Sequence, residues 1–140
     1  MDKQSLHSFM TRARYGVVCS LAADGAPQSA LVGVAITPEL EIVFDTVKSS
    51  RKYANLIVRP SCSVVLWWSG EQTVQLEGLA CEPEGVELDR YREAYLATWP
   101  DGRDRLAWPG IAHLVVKPRW MRVSDYDQRP PLIEEFEFPE

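Results

Sequence analysis

The sequence predicts a single mainly β domain, residues 1–140, whose antiparallel strands form either a barrel or a sandwich. Its 140 residues are one domain's length, and six short β-rich runs are joined mostly by tight turns. Asp24-Gly25, between the first two runs, is a strong hairpin signal. Six strands must protect their edges, which favours closure or a second packed layer. The pattern alone leaves both architectures open.

The elements are predicted in order along the chain. Apolar residues at helical spacing predict a first helix over residues 4–13. The six strands are predicted at 15–21, 28–36, 41–46, 61–68, 73–82 and 111–123. Two further helices are predicted at 48–59, where Pro60 closes the helix, and at 86–99. The proline-rich tail from Arg129 onward is interpreted as an arm that lies on a neighbouring molecule.

Composition limits the classes of function. The formal net charge of -5 and a pI of about 5.1 argue against nucleic-acid binding, which needs a basic face. Neither a signal peptide nor a membrane-length apolar run is present, so we expect a cytoplasmic protein with no membrane partner. Cys19, Cys62 and Cys81 are far apart and are expected to be reduced core thiols. His7 and His113 lie in no cluster of ligands, which predicts no metal site.

The most informative segment is 44–52, where a strand runs into a helix. The first turn of this helix carries Ser50, Arg51 and Lys52. Helix N-termini have partial positive charge, so a cationic first turn is unfavourable unless an anion is bound. A phosphate would be held there by free N–H groups, by hydroxyl groups and by the two cations. The alternative is a basic turn exposed to solvent.

The same segment resembles a known family. Phe44-Asp45-Thr46 followed by Ser50-Arg51-Lys52 is similar to the Phe-x-Thr-x-x-x-Ser-Arg-Lys stretch of the pyridoxamine 5′-phosphate oxidases. Further matching motifs are Gly25-x-Pro27 before the second strand, Leu56 and Pro60 after the turn, and Val74-x-Leu76-x-Gly78-x-Ala80 in the fifth strand. The resemblance extends over roughly residues 5–125.

The resemblance implies a six-stranded antiparallel split β-barrel that forms a homodimer with two FMN molecules at its interface. Arg51 and Lys52, helped by Ser50, would bind the FMN phosphate, and residues 30–33 would run along the isoalloxazine ring. Thr73, or Gln72 beside it, would stand where the family places a glutamine. The full set of implied cofactor-binding residues is Ala30, Leu31, Val32, Gly33, Asp45, Thr46, Ser50, Arg51, Lys52 and Thr73.

Two departures from the family's pattern argue against vitamin B6 oxidation. The oxidases have an arginine at the start of the flavin-lining stretch, where this chain has Ser29-Ala30. They also end with an Arg-x-His motif that grips the substrate, whereas residues 123–127 read Val-Ser-Asp-Tyr-Asp. Nothing in that region supplies the same grip.

We therefore expect an FMN-dependent oxidoreductase that acts on an unidentified small molecule, with NADH or NADPH as a candidate electron donor. No residue stands out as a catalytic acid or base, and hydride transfer to a flavin does not require one. Other interpretations are a flavin-binding or sensing protein without turnover, a split barrel that uses deazaflavin F420 or haem, and a structural dimer with an empty groove. The absence of a well-placed histidine weakens the haem interpretation.

The tryptophans carry the remaining expectations. Trp67 and Trp68 are adjacent on a strand, so one should enter the core while the other lies outside. We expect the outer one at a dimer interface, with cover by the 86–99 helix as the alternative. Trp99 and Trp108 lie in a loop that either lines a substrate pocket or is a surface loop pinned by its tryptophans. Trp120 and His113 are interpreted as structural.

Overall fold

The computed structural model describes residues 1–139, and these form eight strands and four helices. The strands are β1 (Tyr15–Leu21), β2 (Pro27–Gly33), β3 (Ala35–Ile36), β4 (Ile42–Val47), β5 (Ser61–Trp67), β6 (Gln72–Cys81), β7 (Ile111–Asp125) and β8 (Leu132–Glu137). The helices are α1 (Lys3–Met10), α2 (Arg51–Val58), α3 (Gly85–Thr98) and α4 (Gly102–Arg105). In this part of the chain no helix is long and apolar enough to cross a membrane.

All the strands belong to one antiparallel sheet that curls on itself. Its order is β2-β1-β5-β6-β7-β4-β3, and β8 pairs with β7 beside this path. The two ends of the path are consecutive in the chain, because Val34 alone separates β2 from β3. The predicted mainly β antiparallel barrel is therefore confirmed, and the barrel is favoured over the sandwich.

The strand count is higher than six for two reasons. The predicted strand at 28–36 divides at Val34, since its first part pairs with β1 and its last two residues pair with β4. The tail also forms a strand, β8, on the chain's own β7, so its interpretation as an arm on a neighbour is wrong. Residues of β8 alternate between half-buried and exposed, and Phe136 packs against the core. In the sequence, Phe136 and Phe138 alternate with glutamates, which is a strand signal that the preceding prolines obscured.

Two clusters of apolar side chains hold the fold together. The larger one fills the inside of the curled sheet, where Phe44, Leu66 and Met121 are fully buried. The smaller one lies on the outside, where Tyr95 and Leu96 of α3 pack against β3, β4 and β7. Because α3 occupies that outer face, the segment between α3 and β7 is held close to the end of β4.

Helix α2 is fixed against the sheet by one apolar and one polar contact. Leu56 enters the main core, while the buried Asn55 donates hydrogen bonds of 3.0 Å to Ser20 of β1 and to Gln28 of β2. Ser50 is the N-cap of α2, and its side chain accepts a hydrogen bond from the backbone N–H of Tyr53. The first turn of α2 is thereby held beside β2.

Outside the core, two sequence expectations need correction. Trp68 packs edge-on against Phe9, whereas Trp67 is 57% exposed. Helix α3 packs on β3, β4 and β7, so cover of Trp67 by that helix is wrong. Cys81 is exposed rather than in the core, because it ends β6, while Cys19 and Cys62 are half-buried. Burial raises the pKa of the Cys62 thiol to about 12.

Candidate active site

A small pocket lies between the first turn of α2 and the strands β1 and β2. Its volume is about 120 Å³. The residues that line it are Ser20, Gln28, Ser29, Ala30, Arg51 and Lys52. The structure thus brings together three of the residues predicted to bind the cofactor, Ala30, Arg51 and Lys52, from two elements about twenty residues apart in sequence.

The first turn of α2 carries two positive charges that are not in ion pairs. It contains no acidic residue, and neither Arg51 nor Lys52 forms an ion pair with a carboxylate among residues 1–139. Partial burial lowers the pKa of Lys52, and the charge of nearby Asp45 acts in the opposite direction. A cation pair at a helix N-terminus, with free backbone N–H groups beside it, is suited to bind an anion.

Two hydroxyl groups order the entry to the helix. Thr46 Oγ1 and Ser50 Oγ share a hydrogen bond of 2.9 Å, and Ser50 Oγ also accepts from the backbone N–H of Tyr53 at 3.3 Å. Thr46 is buried. Both residues were predicted to help bind the cofactor, and that role stays a prediction. In this structure they connect the end of β4 to the start of α2.

The Asp45 carboxylate is engaged by residues from the far side of β4. Arg105 Nε donates to Asp45 at 2.7 Å, and the Tyr95 hydroxyl donates to it at 3.2 Å. Arg105 also forms an ion pair of 3.0 Å with Asp101. The predicted contact of Asp45 with the cofactor therefore remains a prediction, and Asp45 does not line the pocket. No sequence signal linked Asp45 to Arg105, because the two lie 60 positions apart.

The predicted flavin-lining stretch 30–33 lies at an open edge of the sheet. β2 pairs with β1 on one side, and no strand of residues 1–139 pairs along its other edge. Leu31 is 67% exposed, whereas Val32 points into the core and Gly33 lies under the ring of Trp99. An edge strand presents unpaired backbone N–H and C=O groups, so this stretch can donate hydrogen bonds to a ligand.

Thr73 is not close to the pocket within one chain. It lies on β6, and β1 and β5 separate that strand from β2. Three strand spacings correspond to roughly 14 Å. The side chain of Gln72, the alternative to Thr73, is already occupied: its Oε1 accepts from Arg12 and Trp68, and its Nε2 donates to Asp127. These contacts favour Thr73 over Gln72 as a residue free to meet a ligand.

Sequence reasoning missed the polar residues that line the pocket or support its lining. Asn55, Ser20 and Gln28 join α2 to β1 and β2 through buried hydrogen bonds. An asparagine directly before a core leucine of an amphipathic helix was the one available signal. The partners of Asn55 could not be read from the sequence, because they depend on the docking of α2.

The loop between α3 and β7 is a pinned surface loop. Trp99 Nε1 donates to the Val34 carbonyl oxygen at 3.0 Å, and its ring packs against Gly33, where a Cβ would lie only 2.8 Å away. Trp108, in contrast, is 52% exposed. Trp99 therefore pins the loop directly beside the stretch 30–33, and a role of the loop in lining a substrate pocket stays a prediction.

His113 is buried next to the Asp45 cluster. It is 2% exposed, it stands opposite Asp45 in the pairing of β4 with β7, and the edge of the Tyr95 ring approaches it at 5.6 Å. Its Nε2 has no hydrogen-bond partner. Burial lowers the pKa of His113, as do Arg92 and Arg105, while Asp45 acts in the opposite direction. The imidazole is therefore neutral in the folded protein at neutral pH.

This burial predicts a loss of stability in mild acid. The unfolded chain takes up a proton at His113 near its ordinary pKa of about 6.5, and the folded chain does so only at lower pH. The free energy of unfolding should therefore fall below about pH 6.5, by at most about 1.4 kcal/mol per pH unit from this residue. Urea denaturation between pH 7 and pH 5 measures the slope. An equally steep slope in the His113→Asn variant would show that other groups cause it.

Comparison with known proteins places this architecture. Residues 3–124 match the family described as pyridoxamine 5′-phosphate oxidase. The pyridoxine/pyridoxamine 5′-phosphate oxidase of Burkholderia cenocepacia is 28% identical over 118 residues, which are 84% of this chain and 53% of that protein. The chain thus spans about half the length of the curated relatives that it matches.

Solved structures show the same fold. A pyridoxamine 5′-phosphate oxidase-related, FMN-binding protein from Nostoc punctiforme superposes with a TM-score of 0.67 at 12% identity, covering 99% of this chain and 93% of that one. A haem-binding protein from Mycobacterium smegmatis gives a TM-score of 0.84 at 17% identity, covering 96% and 57%. These likenesses confirm the split-barrel fold. Because the family match extends over residues 3–124, the chain belongs to the pyridoxamine 5′-phosphate oxidase family.

Proposed function

We propose that this protein is an FMN-dependent oxidoreductase of small molecules. The observation that carries the proposal is the pocket that Arg51 and Lys52 line together with residues 28–30 of β2, neither cation being in an ion pair with a carboxylate among residues 1–139. The FMN phosphate would occupy this pocket, and the isoalloxazine ring would extend along residues 30–33. Bound FMN would supply the redox chemistry, since it accepts and returns a hydride or electrons.

The residues present fit a flavin phosphate. Lys52 is half-buried and its charge is desolvated, which is unfavourable until an anion compensates it. Ser50 and the free N–H groups of the first turn of α2 can donate further hydrogen bonds to phosphate oxygens. The backbone N–H groups at the edge of β2 would hold the polar side of the ring. Val32 and Gly33 would keep the strand in place through their packing inside and outside the barrel.

We also propose that the site is completed by a second copy of the chain. Thr73 lies three strands from β2, roughly 14 Å along the sheet, so we expect it to meet the cofactor of a second copy and not that of its own chain. The outer face of β1 and β5 exposes large apolar side chains in neighbouring rows, with Tyr15 51%, Val65 39% and Trp67 57% exposed. An apolar patch of this kind is typical of a protein interface. A partner seated on it would bring its own Thr73 towards the flavin ring.

Haem and deazaflavin F420 are the alternative cofactors. Both histidines lie away from the pocket: His7 Nε2 donates to the Ile36 carbonyl oxygen at 3.2 Å, and His113 is buried. Neither is available as an axial ligand of haem in this arrangement, which favours FMN. Deazaflavin F420 carries a phosphate and would use the same cationic turn, so only a direct comparison separates it from FMN.

The proposal is tested by cofactor uptake. The purified protein is titrated separately with FMN, F420 and haemin, and binding is followed by absorbance. We expect FMN to bind most tightly, with flavin peaks near roughly 375 and 450 nm. The FMN-loaded protein is then mixed anaerobically with NADH or NADPH, and reoxidation by added acceptors separates an enzyme from a flavin binder. A colourless protein that takes up no FMN would refute the proposal.

A further inference from the structure

A second cation is fixed at the opposite end of the flavin-lining stretch. The Arg14 guanidinium stacks over the Trp99 ring, 4.3 Å from its centroid. Arg14 is exposed and forms no ion pair with any carboxylate among residues 1–139. It is therefore a cation whose position is set by an aromatic ring and whose charge has no protein counterion in the described chain.

The backbone around Val34 holds this pair in place from both sides. The Val34 N–H donates to the Arg14 carbonyl oxygen at 3.0 Å, and Trp99 Nε1 donates to the Val34 carbonyl oxygen at 3.0 Å. The Trp99 ring also packs on Gly33, and the edge of the Tyr15 ring approaches it at 5.3 Å. Trp99 is thus held by several contacts, and its ring offers Arg14 a fixed surface beside the stretch 30–33.

The chemistry of a stacked guanidinium is specific. When its flat face lies on an indole ring, the N–H groups around its edge remain free to donate. This edge matches the two oxygens of a carboxylate or a phosphate, and such paired hydrogen bonds are among the strong ones in proteins. A guanidinium held over a ring in this way is suited to bind an oxyanion.

Arg14 lies away from the phosphate pocket, at the other end of residues 30–33. Ala30 lines that pocket, and Gly33 lies under Trp99. Three residues of a strand span roughly 10 Å. A molecule bound at Arg14 would therefore lie at the other end of the stretch 30–33 from Arg51 and Lys52, and it would not compete for the FMN phosphate.

We propose that Arg14, supported by Trp99, binds the carboxylate or phosphate group of the substrate. Its placement beside a flavin depends on the proposed function, whereas its binding of an oxyanion depends only on the contacts above. The oxidases bind their substrate through a motif that would lie near residues 123–127, and this chain lacks that motif. Arg14, in the loop between α1 and β1, would bind the substrate instead. The substrate would accordingly be a small organic acid or phosphate ester.

The test uses three aromatic probes of similar size: benzoate, phenyl phosphate and the neutral benzyl alcohol. Each is titrated into FMN-loaded protein, and binding is followed by tryptophan fluorescence and calorimetry. We expect at least one anionic probe to bind at least about tenfold more tightly than benzyl alcohol, and which one binds identifies the oxyanion. Arg14→Ala should remove at least about tenfold of that affinity, a change of about 1.4 kcal/mol. FMN content should stay unchanged.

Arg12→Ala is the matched control. Arg12 also stacks over a tryptophan, Trp68 at 5.7 Å, but it is tied to Gln72, so its loss should change probe affinity less than about twofold. If Arg14→Ala binds each anionic probe as tightly as wild type does, the inference is overturned. A wild type that prefers neither anion, or an Arg14→Ala variant whose only defect is dissociation of the second copy in light scattering, would also overturn it. If the wild type takes up no FMN, the proposed function fails, and the same titration of flavin-free protein still decides the role of Arg14.

Discussion

Replacing Arg51 and Lys52 together by alanine is expected to weaken FMN binding by at least about 100-fold. Each charge-assisted hydrogen bond to a phosphate contributes about 1.5–3 kcal/mol, and the loss of two corresponds to a factor of this size or more. Both side chains line the pocket between α2 and β2, and neither forms an ion pair with a carboxylate of the described chain. Quenching of FMN fluorescence on titration with protein measures the dissociation constant.

The matched control also removes two positive charges, but from arginines outside the pocket. Arg90 and Arg103 are 49% and 62% exposed, and their ion pairs are with Glu87 and Glu93, away from the pocket. The double variant Arg90→Ala/Arg103→Ala should bind FMN within about twofold of wild type, since long-range effects of exposed charges are screened. Circular dichroism checks that both double variants fold. If FMN affinity survives the loss of both pocket cations, the phosphate site has been assigned wrongly.

Replacing Arg105 by alanine is expected to lower both stability and FMN affinity. The Arg105–Asp45 pair is 2.7 Å long and largely buried, with side chains 21% and 15% exposed. Its removal leaves the Asp45 carboxylate without its cation, which should cost about 2 kcal/mol of the free energy of unfolding. The freed carboxylate acts on Lys52, whose pKa it already raises. The Asp45 carboxylate would then offset part of the positive charge that Lys52 presents to a phosphate. We therefore expect FMN to bind about tenfold more weakly.

The rescue variant separates this effect from general loss of stability. Adding Asp45→Asn to Arg105→Ala removes the uncompensated charge while it keeps the shape of the side chain. FMN affinity should then return to within about threefold of wild type. Arg103→Ala, two positions away on the same helix, serves as the control because within residues 1–139 Arg103 is ion-paired only with the exposed Glu93, at 3.9 Å. A double variant no better than Arg105→Ala would mean that Arg105 supports the site by packing and not by neutralising Asp45.

The sequence determined the parts of the fold that local patterns encode. β-rich runs bounded by turns specified β1 and β4–β7 within two residues, and helical spacing over 48–59 specified α2, which begins three residues later than predicted, at Arg51. The pattern failed at Val34, where one continuous β-rich run changes partner from β1 to β4. A change of partner leaves no mark on hydrophobic alternation, because the side chains keep pointing inward and outward as before.

The candidate site, like the fold, has features that local sequence predicts and features that depend on tertiary contacts. The cationic first turn of α2 is a local feature, so its charge and its suitability for a phosphate were evident from residues 50–52 alone. Only the tertiary structure decided what faces that turn and what does not. It placed Ala30 in the pocket, turned the Asp45 carboxylate towards Arg105, and set Arg14 on Trp99. Each of these contacts joins residues between 21 and 85 positions apart, and such pairs form through the curling of the sheet and the docking of α3. Local sequence cannot encode them, because their energies depend on how distant elements pack.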